Sequence, residues 1–332
     1  MPNDMLPWFQ EGKFPLYLAP MAGVSDMIFR QLCKERGADV LVTEFVSAEG
    51  VFRRNERTRG YLGFDPAIER PIGVQLFGGN AEHMAEAARQ VVNWVQPDFI
   101  DLNFGCPVNK VVAKNGGSAL LKDCATLGKV VDAVVRAVAP LPVTAKIRTG
   151  WDNNSINAVE VARQVESLGV QALAIHGRTR AQGYSGAADW EVIAQVAEAV
   201  AIPVIGNGDL FTAADVAKRK RETGIAGAMI GRAAMSSPWI FSRTKHFLAT
   251  GEILPPPEPA EKWALIQRHC ELAVAECGVE DLAMRSMRGR LMAYTKGMPA
   301  GKMLREKFQH VSSLGEVAEI AEMHQATSLE AA

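Results

Sequence analysis

The amino-acid sequence predicts an α/β protein: a (β/α)₈ TIM barrel followed by a small C-terminal all-helical domain. Three observations carry that prediction. Eight short apolar or β-branched runs recur between Leu16 and Ile230. The segments between them space their apolar residues with helical rather than alternating periodicity. A run of three prolines, Pro255–Pro257, then ends the pattern, and the stretches beyond it read as helix. Strand followed by helix, eight times over, gives a parallel sheet closed into a barrel. A doubly wound sheet rarely needs eight consecutive parallel units and usually opens with G-x-G-x-x-G, which this chain lacks.

In chain order the strand candidates are Leu16–Ala19, Asp39–Phe45, Pro71–Phe77, Asp98–Asn103, Pro142–Ile147, Ala172–His176, Ile202–Gly206 and Ala226–Ile230. Among the intervening helices, Ala81–Val95 places Met84, Ala88, Val91 and Val95 on one face, with Asn80 positioned to cap it. Thr212–Lys220 opens with Thr212 and Asp215 at the spacing of a capping box. Gly251–Pro259 reads GEILPPPEP, in which consecutive prolines exclude a helix and leave a stiff extended connector. That connector divides an expected barrel domain, residues 1–250, from an expected helical domain, residues 260–332. In the second, Ala260–Cys277, Asp281–Lys296 and Ala300–His310 read as helices, broken by Gly278, Gly297 and Pro299.

Composition narrows the function classes. With 332 residues, 48% hydrophobic and 22% charged, the chain is neither disordered, collagen-like nor coiled coil. No apolar run approaches the roughly 18 residues of a membrane helix, because Val130–Pro140 is broken by Asp132 and Arg136. Residues 1–13 lack the layout of a secretory signal, so a cytoplasmic location is expected. Five cysteines form no C-x-x-C pair and no even framework, which points to free thiols and to no metal site. The net charge of −1 argues by itself against a nucleic-acid binder, but the average hides a gradient. Between Met284 and His310, Arg285, Arg288, Arg290, Lys296, Lys302, Arg305 and Lys307 stand against Glu306 alone. A second basic cluster is Arg53, Arg54, Arg57 and Arg59. Either run alone would be a solvated face; two converging on one site would bind polyanion.

Chemistry in such barrels sits at the C-terminal ends of the strands. There the sequence offers Pro20-Met21-Ala22, Gln75, Asp101-Leu102-Asn103 leading into Gly105-Cys106-Pro107, Lys146 with Arg148, His176-Gly177-Arg178, Asn207-Gly208-Asp209 and Gly231-Arg232. Glycine-containing turns after the last two strands each open a helix, which leaves backbone N–H groups for a phosphate dianion, with Arg232 adding charge. The same glycines would also serve plain tight turns. Lys146 is expected to face inward, where an ammonium needs an anion. A reduced flavin, negative on its pyrimidine ring, meets that need, and so would an ion pair with Asp101 or Glu44. His176 suits either a functional or a satisfied structural role. Cys106 sits in a fixed Gly–Cys–Pro turn; a thiol of ordinary pKa, about 8.5, suits a general acid as well as a nucleophile. The other four cysteines lie in helical patterns and read as packing.

Taken together, Leu18-Ala19-Pro20-Met21-Ala22-Gly23 with Asp26 and Phe29-Arg30, Val74-Gln75-Leu76, Asp101 to Pro107, Lys146 to Trp151, His176 to Arg180, Asn207-Gly208-Asp209, Gly231 to Ala234 and Pro238-Trp239-Ile240 resemble the tRNA-dihydrouridine synthases. The bacterial DusB-like group is the most similar. The resemblance runs from about Leu18 to Ile240, and the region of Arg288 to Tyr294 is similar but less diagnostic. It implies an FMN barrel with a helical RNA-binding domain that reduces uridine in the D loop of tRNA, with NADPH as electron source. It implies that Pro20, Met21, Ala22, Gln75, Lys146, His176, Asn207, Gly208, Asp209, Gly231 and Arg232 hold FMN. Cys106 matches the proton donor, and Asn103 and Arg178 match positions that meet the substrate nucleotide. Asn109 departs from the lysine common in that group, while Lys110 and Lys114 remain for phosphate. Arg285, Arg288 and Arg290 are the expected RNA contacts of the helical domain, and a monomer is expected. The rival readings are a flavin barrel dehydrogenase acting on a free pyrimidine, of the dihydroorotate type, and a non-catalytic RNA-binding flavoprotein. The first leaves the basic helical region idle, and the second leaves Cys106 and Lys146 without a task.

Overall fold

Period-two alternation along parallel strands builds this molecule. The computed structural model describes residues 6–330; residues 1–5 and 331–332 of the expected domains lie outside the described residues. Its strands are β1 (Leu16–Leu18), β2 (Leu41–Val42), β3 (Val46–Ser47), β4 (Ile72–Phe77), β5 (Phe99–Phe104), β6 (Val143–Arg148), β7 (Ala172–His176), β8 (Val204–Asn207) and β9 (Gly227–Ile230). All pair in parallel in the order β1-β9-β8-β7-β6-β5-β4-β2. A parallel bridge between Tyr17 and Val40 brings β2 back to β1 and closes the ring. Of the expected second strand, Asp39–Phe45, only β2 forms a strand; β3 follows beyond it, and the two lie against β4 at different levels. Between them the Thr43 hydroxyl, rather than a backbone carbonyl, takes the Gln75 N–H at 3.2 Å, so the regular ladder is interrupted.

Alternate strand residues point outward and inward. Leu18, Val74, Leu76, Ile100, Leu102, Ile147 and Ile175 meet the apolar faces of the surrounding helices in one large core. One of those helices is Ala81–Val95, capped by Asn80, whose side chain accepts from the His83 N–H at 2.9 Å. Another is Ala213–Thr223, which opens with the expected Thr212–Asp215 capping box. The inward residues Tyr17, Val40, Phe99, Ala172, Ala174, Ile205 and Met229 form a second apolar cluster, joined by Leu6, Trp8 and Phe9. Gly73 makes room for it: a Cβ there would stand 2.2 Å from the Phe99 ring.

Beyond the barrel helix Ile240–Thr250 four more helices follow among the described residues: Pro259–Cys277, Glu280–Tyr294, Gly301–Phe308 and Leu314–Glu330. The last covers an acidic tail whose charge gave no sign of it. It forms because Val317, Ile320, Ala321 and His324 recur on one helical face, and the three apolar ones pack into a separate core with Trp263, Met284, Leu291 and Phe308. Several contacts tie these helices to the first barrel helix, Met27–Glu35, and its cap, Asp26. Arg290 Nη2 donates to Asp26 Oδ2 at 2.6 Å, Arg268 pairs with Glu35 through both terminal nitrogens, and the His269 ring stacks on Phe29. No helix among the described residues is long and apolar enough to cross a membrane.

One buried ion pair pins the loop before β4. Arg30 Nε donates to Glu69 Oε2 at 2.6 Å, while its other nitrogens donate to the Ser25 and Gly63 carbonyls. Both side chains are buried, so removing the carboxylate strands a guanidinium. Glu69→Ala should lower unfolding stability by about 3–5 kcal/mol in equilibrium denaturation, the cost of breaking such a pair from one side. A loss below about 1 kcal/mol would show that the loop relaxes to rehydrate Arg30.

Candidate active site

Register decides which polar residues meet. Gln75 lies opposite Asp101, Asn103 opposite Lys146, Arg148 opposite His176, and His176 opposite Asn207. All belong to the inward parity, so the apolar barrel interior turns polar at the C-terminal ends of its strands. Above this layer the loops after β1, β8 and β9 enclose a cavity of about 480 Å³, a size suited to a cofactor or small substrate. Its wall includes Pro20, Met21, Ala22, Gln75, Asn103, Cys106, Lys146, His176, Asn207, Gly208, Asp209, Gly231 and Arg232.

Two of these groups have spare bonding capacity. Lys146 makes no hydrogen bond or ion pair among the described residues; burial and the neighbouring Arg148 push its pKa down to about 8. The carboxylates within its reach in sequence terms are taken. Asp101 accepts from Gln75 and Thr144, and Glu44 accepts from the Val24 N–H. His176 Nδ1 is buried without a partner. Burial, with Lys146, Arg148, Arg178 and Arg232 nearby, pushes its pKa down to about 2, so the imidazole is neutral at physiological pH.

Cys106 is held from both sides of its backbone. Its N–H donates to Asn103 Oδ1 at 2.8 Å, and its carbonyl accepts from the Ser118 hydroxyl at 2.8 Å. Burial pushes the thiol pKa up, with Arg148 and Lys146 pulling only partly against it. The thiol is therefore protonated at neutral pH, the state a proton donor requires.

On the opposite wall Gly208 adopts φ +126°, and a Cβ there would sit 2.6 Å from that of Ala188. Asp209 follows it and pairs with Arg232 and Arg178, each at 2.8 Å. Arg232 lies between two exposed rings, 4.9 Å from Tyr184 and 5.2 Å from Phe211. Cations of this wall and aromatic rings of the rim thus share one edge of the cavity.

Comparison with known proteins agrees with this geometry. Residues 17–331 match the family described as Dihydrouridine synthase (Dus). The chain belongs to the dihydrouridine synthase family. It is 43% identical to the tRNA-dihydrouridine synthase B of Pseudomonas aeruginosa over 89% of this chain and 88% of that protein. To the probable tRNA-dihydrouridine synthase 1 of Synechocystis sp. it is 39% identical over 90% of this chain and 82% of that one. Among solved structures, TcOYE with pHBA shares the fold with a TM-score of 0.51 at 11% identity, over 74% of this chain and 91% of the other.

The family is one of FMN-dependent oxidoreductases, and the cavity of this dihydrouridine synthase fits a flavin. The unpaired Lys146 ammonium and the unpartnered His176 Nδ1 offer a cation and a neutral imidazole to a polar ring. Gly208, Gly231 and Arg232 form the glycine-lined, cationic wall that a phosphate needs. Pro20, Met21, Ala22, Gln75 and Asn207 complete the enclosure.

Several expected contacts are occupied otherwise. Arg178 does not line the cavity. It is buried, and its guanidinium donates to the Ser185 and Gly186 carbonyls and to Asp209. As found, it props the loop that carries Tyr184. The Asp209 carboxylate is likewise engaged with arginines and the Ala188 N–H. Lys110 is exposed on the short helix Asn109–Val112, and Asn109 accepts from Arg180 at 2.6 Å. In the helical region Arg288 donates to the Val311 and His310 carbonyls, and Arg290 to Gly23 and Asp26, whereas Arg285 is exposed and paired only with Asp281. Of the other basic cluster, Arg53 pairs with Glu49 and Arg59 lies over Trp94; the Arg57 side chain lies outside the described residues. Sequence reasoning missed Tyr184 and Phe211. Their signal was an aromatic residue inside otherwise polar, glycine-marked turns.

An unpaired ammonium costs stability until an anion arrives. Lys146 has a folded pKa of about 8, below its unfolded value, so the unfolded chain holds the proton more tightly and the penalty is full below pH 8. Lys146→Met should raise the Tm of the flavin-free protein at pH 7, with the gain fading as pH rises toward about 10.4. The same variant should retain less flavin through purification. A lower Tm at pH 7 would show that the ammonium is satisfied within the protein.

Proposed function

We propose that this dihydrouridine synthase reduces uridine to 5,6-dihydrouridine in the D loop of tRNA, taking electrons from NADPH. The observation that carries this reading is a buried thiol, Cys106, in the wall of the same cavity as the Lys146 ammonium. A carbon–carbon double bond next to a carbonyl is reduced by a hydride and a proton delivered separately. When bound, the flavin supplies the hydride for C6 of the uracil. Cys106 Sγ would give its proton to C5 and remain as a thiolate, which the charges of Arg148 and Lys146 would stabilise. Lys146 would hold the flavin by its positive charge, and neutral His176 would offer it a hydrogen bond without adding charge. Asn103 lines the cavity beside Cys106 and would meet the flipped base with the amide hydrogen that Gln75 leaves over.

The uridine of a folded tRNA must leave its stack to enter this cavity. The helices of residues 260–332 would supply the phosphate contacts, and the exposed Lys296, Lys302, Arg305 and Lys307 carry that task better than Arg288 and Arg290, whose guanidinium groups are already engaged. Lys296 lies 5.2 Å from the Phe211 ring, which brings the basic region to the rim of the cavity. This favours a polynucleotide over a free pyrimidine. A cytoplasmic monomer accords with the reading.

Two experiments test it. Cys106→Ala should keep bound FMN and nicotinamide oxidation yet lose uridine reduction by about 10²–10⁴-fold, the usual worth of a general acid. Activity above about a tenth of wild type would place the acid elsewhere. Reversing Lys296, Lys302 and Lys307 to Glu should weaken tRNA binding and flatten log Kd against log salt by about one unit for each phosphate left unneutralised. Flavin content should hold. A folded variant with wild-type affinity and salt slope would return the free pyrimidine as substrate.

A further inference from the structure

We infer that Asp101, which does not itself line the cavity, is a positioning residue that fixes the polarity of a buried amide relay ending at the backbone of Cys106. The inference rests on the reading of Cys106 as the proton donor. The relay can be followed from its far end. The backbone N–H groups of Gly105 and Cys106 can only donate, and both give to Asn103 Oδ1, at 3.1 and 2.8 Å. Asn103 therefore turns Nδ2 the other way, where it donates to Gln75 Oε1 at 2.6 Å. Gln75 is left with Nε2 to offer, and it meets an acceptor, Asp101 Oδ2. Asp101 Oδ1 takes the Thr144 hydroxyl at 2.6 Å. Asp101, Gln75 and Asn103 are all buried.

The two ends demand the same orientation. Asp101 presents an acceptor to Gln75, and two N–H groups present donors to Asn103, so neither amide can flip without setting two donors or two acceptors face to face. Each buried mismatch would cost far more than a missing hydrogen bond at the surface. Of the two ends, Asp101 is the one that a side-chain substitution removes: without an acceptor at 101 the buried Gln75 Nε2 loses its partner, and the Gln75 amide gains by turning toward another acceptor and releasing Asn103. The Cys106 carbonyl is anchored separately by Ser118, so the relay governs the N–H side of the thiol-bearing turn. Placement matters because a shift of about 1 Å at a reacting group can cost about 10²-fold in rate.

The chemistry also says which substitution is harmless. The Thr144 hydroxyl accepts as readily as it donates. An asparagine at 101 would offer Oδ1 to Gln75 and donate Nδ2 to Thr144, keeping the direction of every amide bond in the relay. An alanine would not.

The test uses the full-length protein in two forms. In the flavin-loaded enzyme, Asp101→Ala should slow flavin reoxidation by tRNA about tenfold or more, with KM for tRNA and flavin reduction by the nicotinamide within about threefold. In the flavin-free protein, iodoacetamide alkylation of the Cys106 peptide should accelerate about fivefold or more, because the turn is no longer held closed. Asp101→Asn should restore both. An Asp101→Ala enzyme that reoxidises at the wild-type rate, or an Asn variant as impaired as the Ala variant, overturns the relay. Should Asp101→Ala not fold, Gln75→Leu in the flavin-free protein cuts the relay one step later. Faster Cys106 alkylation supports the relay, and an unchanged rate overturns it. If the wild-type enzyme leaves tRNA uridine unreduced, the proposed function fails while the alkylation comparison still decides the relay.

Discussion

A closed parallel barrel turns every second strand residue inward, and each polar group buried there loses hydration at a cost in free energy unless it finds a partner. Most of the upper layer meets that demand internally. Thr144, Asp101, Gln75 and Asn103 satisfy one another, Asn207 donates to the Met229 carbonyl, and Arg148 donates to the carbonyls of Gly105, Thr179 and Gly183. Lys146 and His176 stand out against this background as groups whose bonding capacity is directed into the cavity. The proposed cofactor site is thus marked out as much by which polar atoms are satisfied as by which residues line it.

The same contrast separates scaffold from contact among the arginines. Arg178, Arg288 and Arg290 use their rigid forks to gather carbonyls and a carboxylate from different segments, a task for which the planar guanidinium suits them better than lysine. Arg290 has a structural consequence: it draws Asp26 and the Gly23 carbonyl toward the helix Glu280–Tyr294. Those residues follow directly on Pro20–Ala22, which wall the cavity. The helical region is therefore fastened to a loop of the cofactor site on one side and, through Lys296 over Phe211, to another loop on the far side.

The eight-unit barrel was legible in the spacing of apolar runs, and the residues that the resemblance assigned to the cofactor line one cavity together with Cys106, whereas Arg178 and Asp101 of the same motifs lie behind its wall. Three things were not legible, for different reasons. The fate of an inward polar side chain depends on its neighbour across the sheet. Asp101 reads in sequence as a partner for Lys146, whereas the register gives it to Gln75 and Thr144. A basic run does not reveal which arginines are spent on carbonyls, since those partners, Val311 and Gly23 among them, are distant in sequence. The helix Leu314–Glu330 was hidden because glutamates dominate its charge, while a few apolar residues at helical spacing secure it.

Charge placement finally explains how one cavity can favour an anionic cofactor and still keep a thiol protonated. Lys146 and Arg148 are near enough to pull the Cys106 pKa down, yet burial prevails and the thiol stays high. If those cations dominated, Cys106 would rest as a thiolate, a nucleophile with no proton to give. An anion bound against Lys146 would cancel part of that pull and raise the thiol further. Occupation of the proposed cofactor site would then reinforce the acid form of Cys106, so that the proposed anion-holding and proton-donating groups act in the same direction.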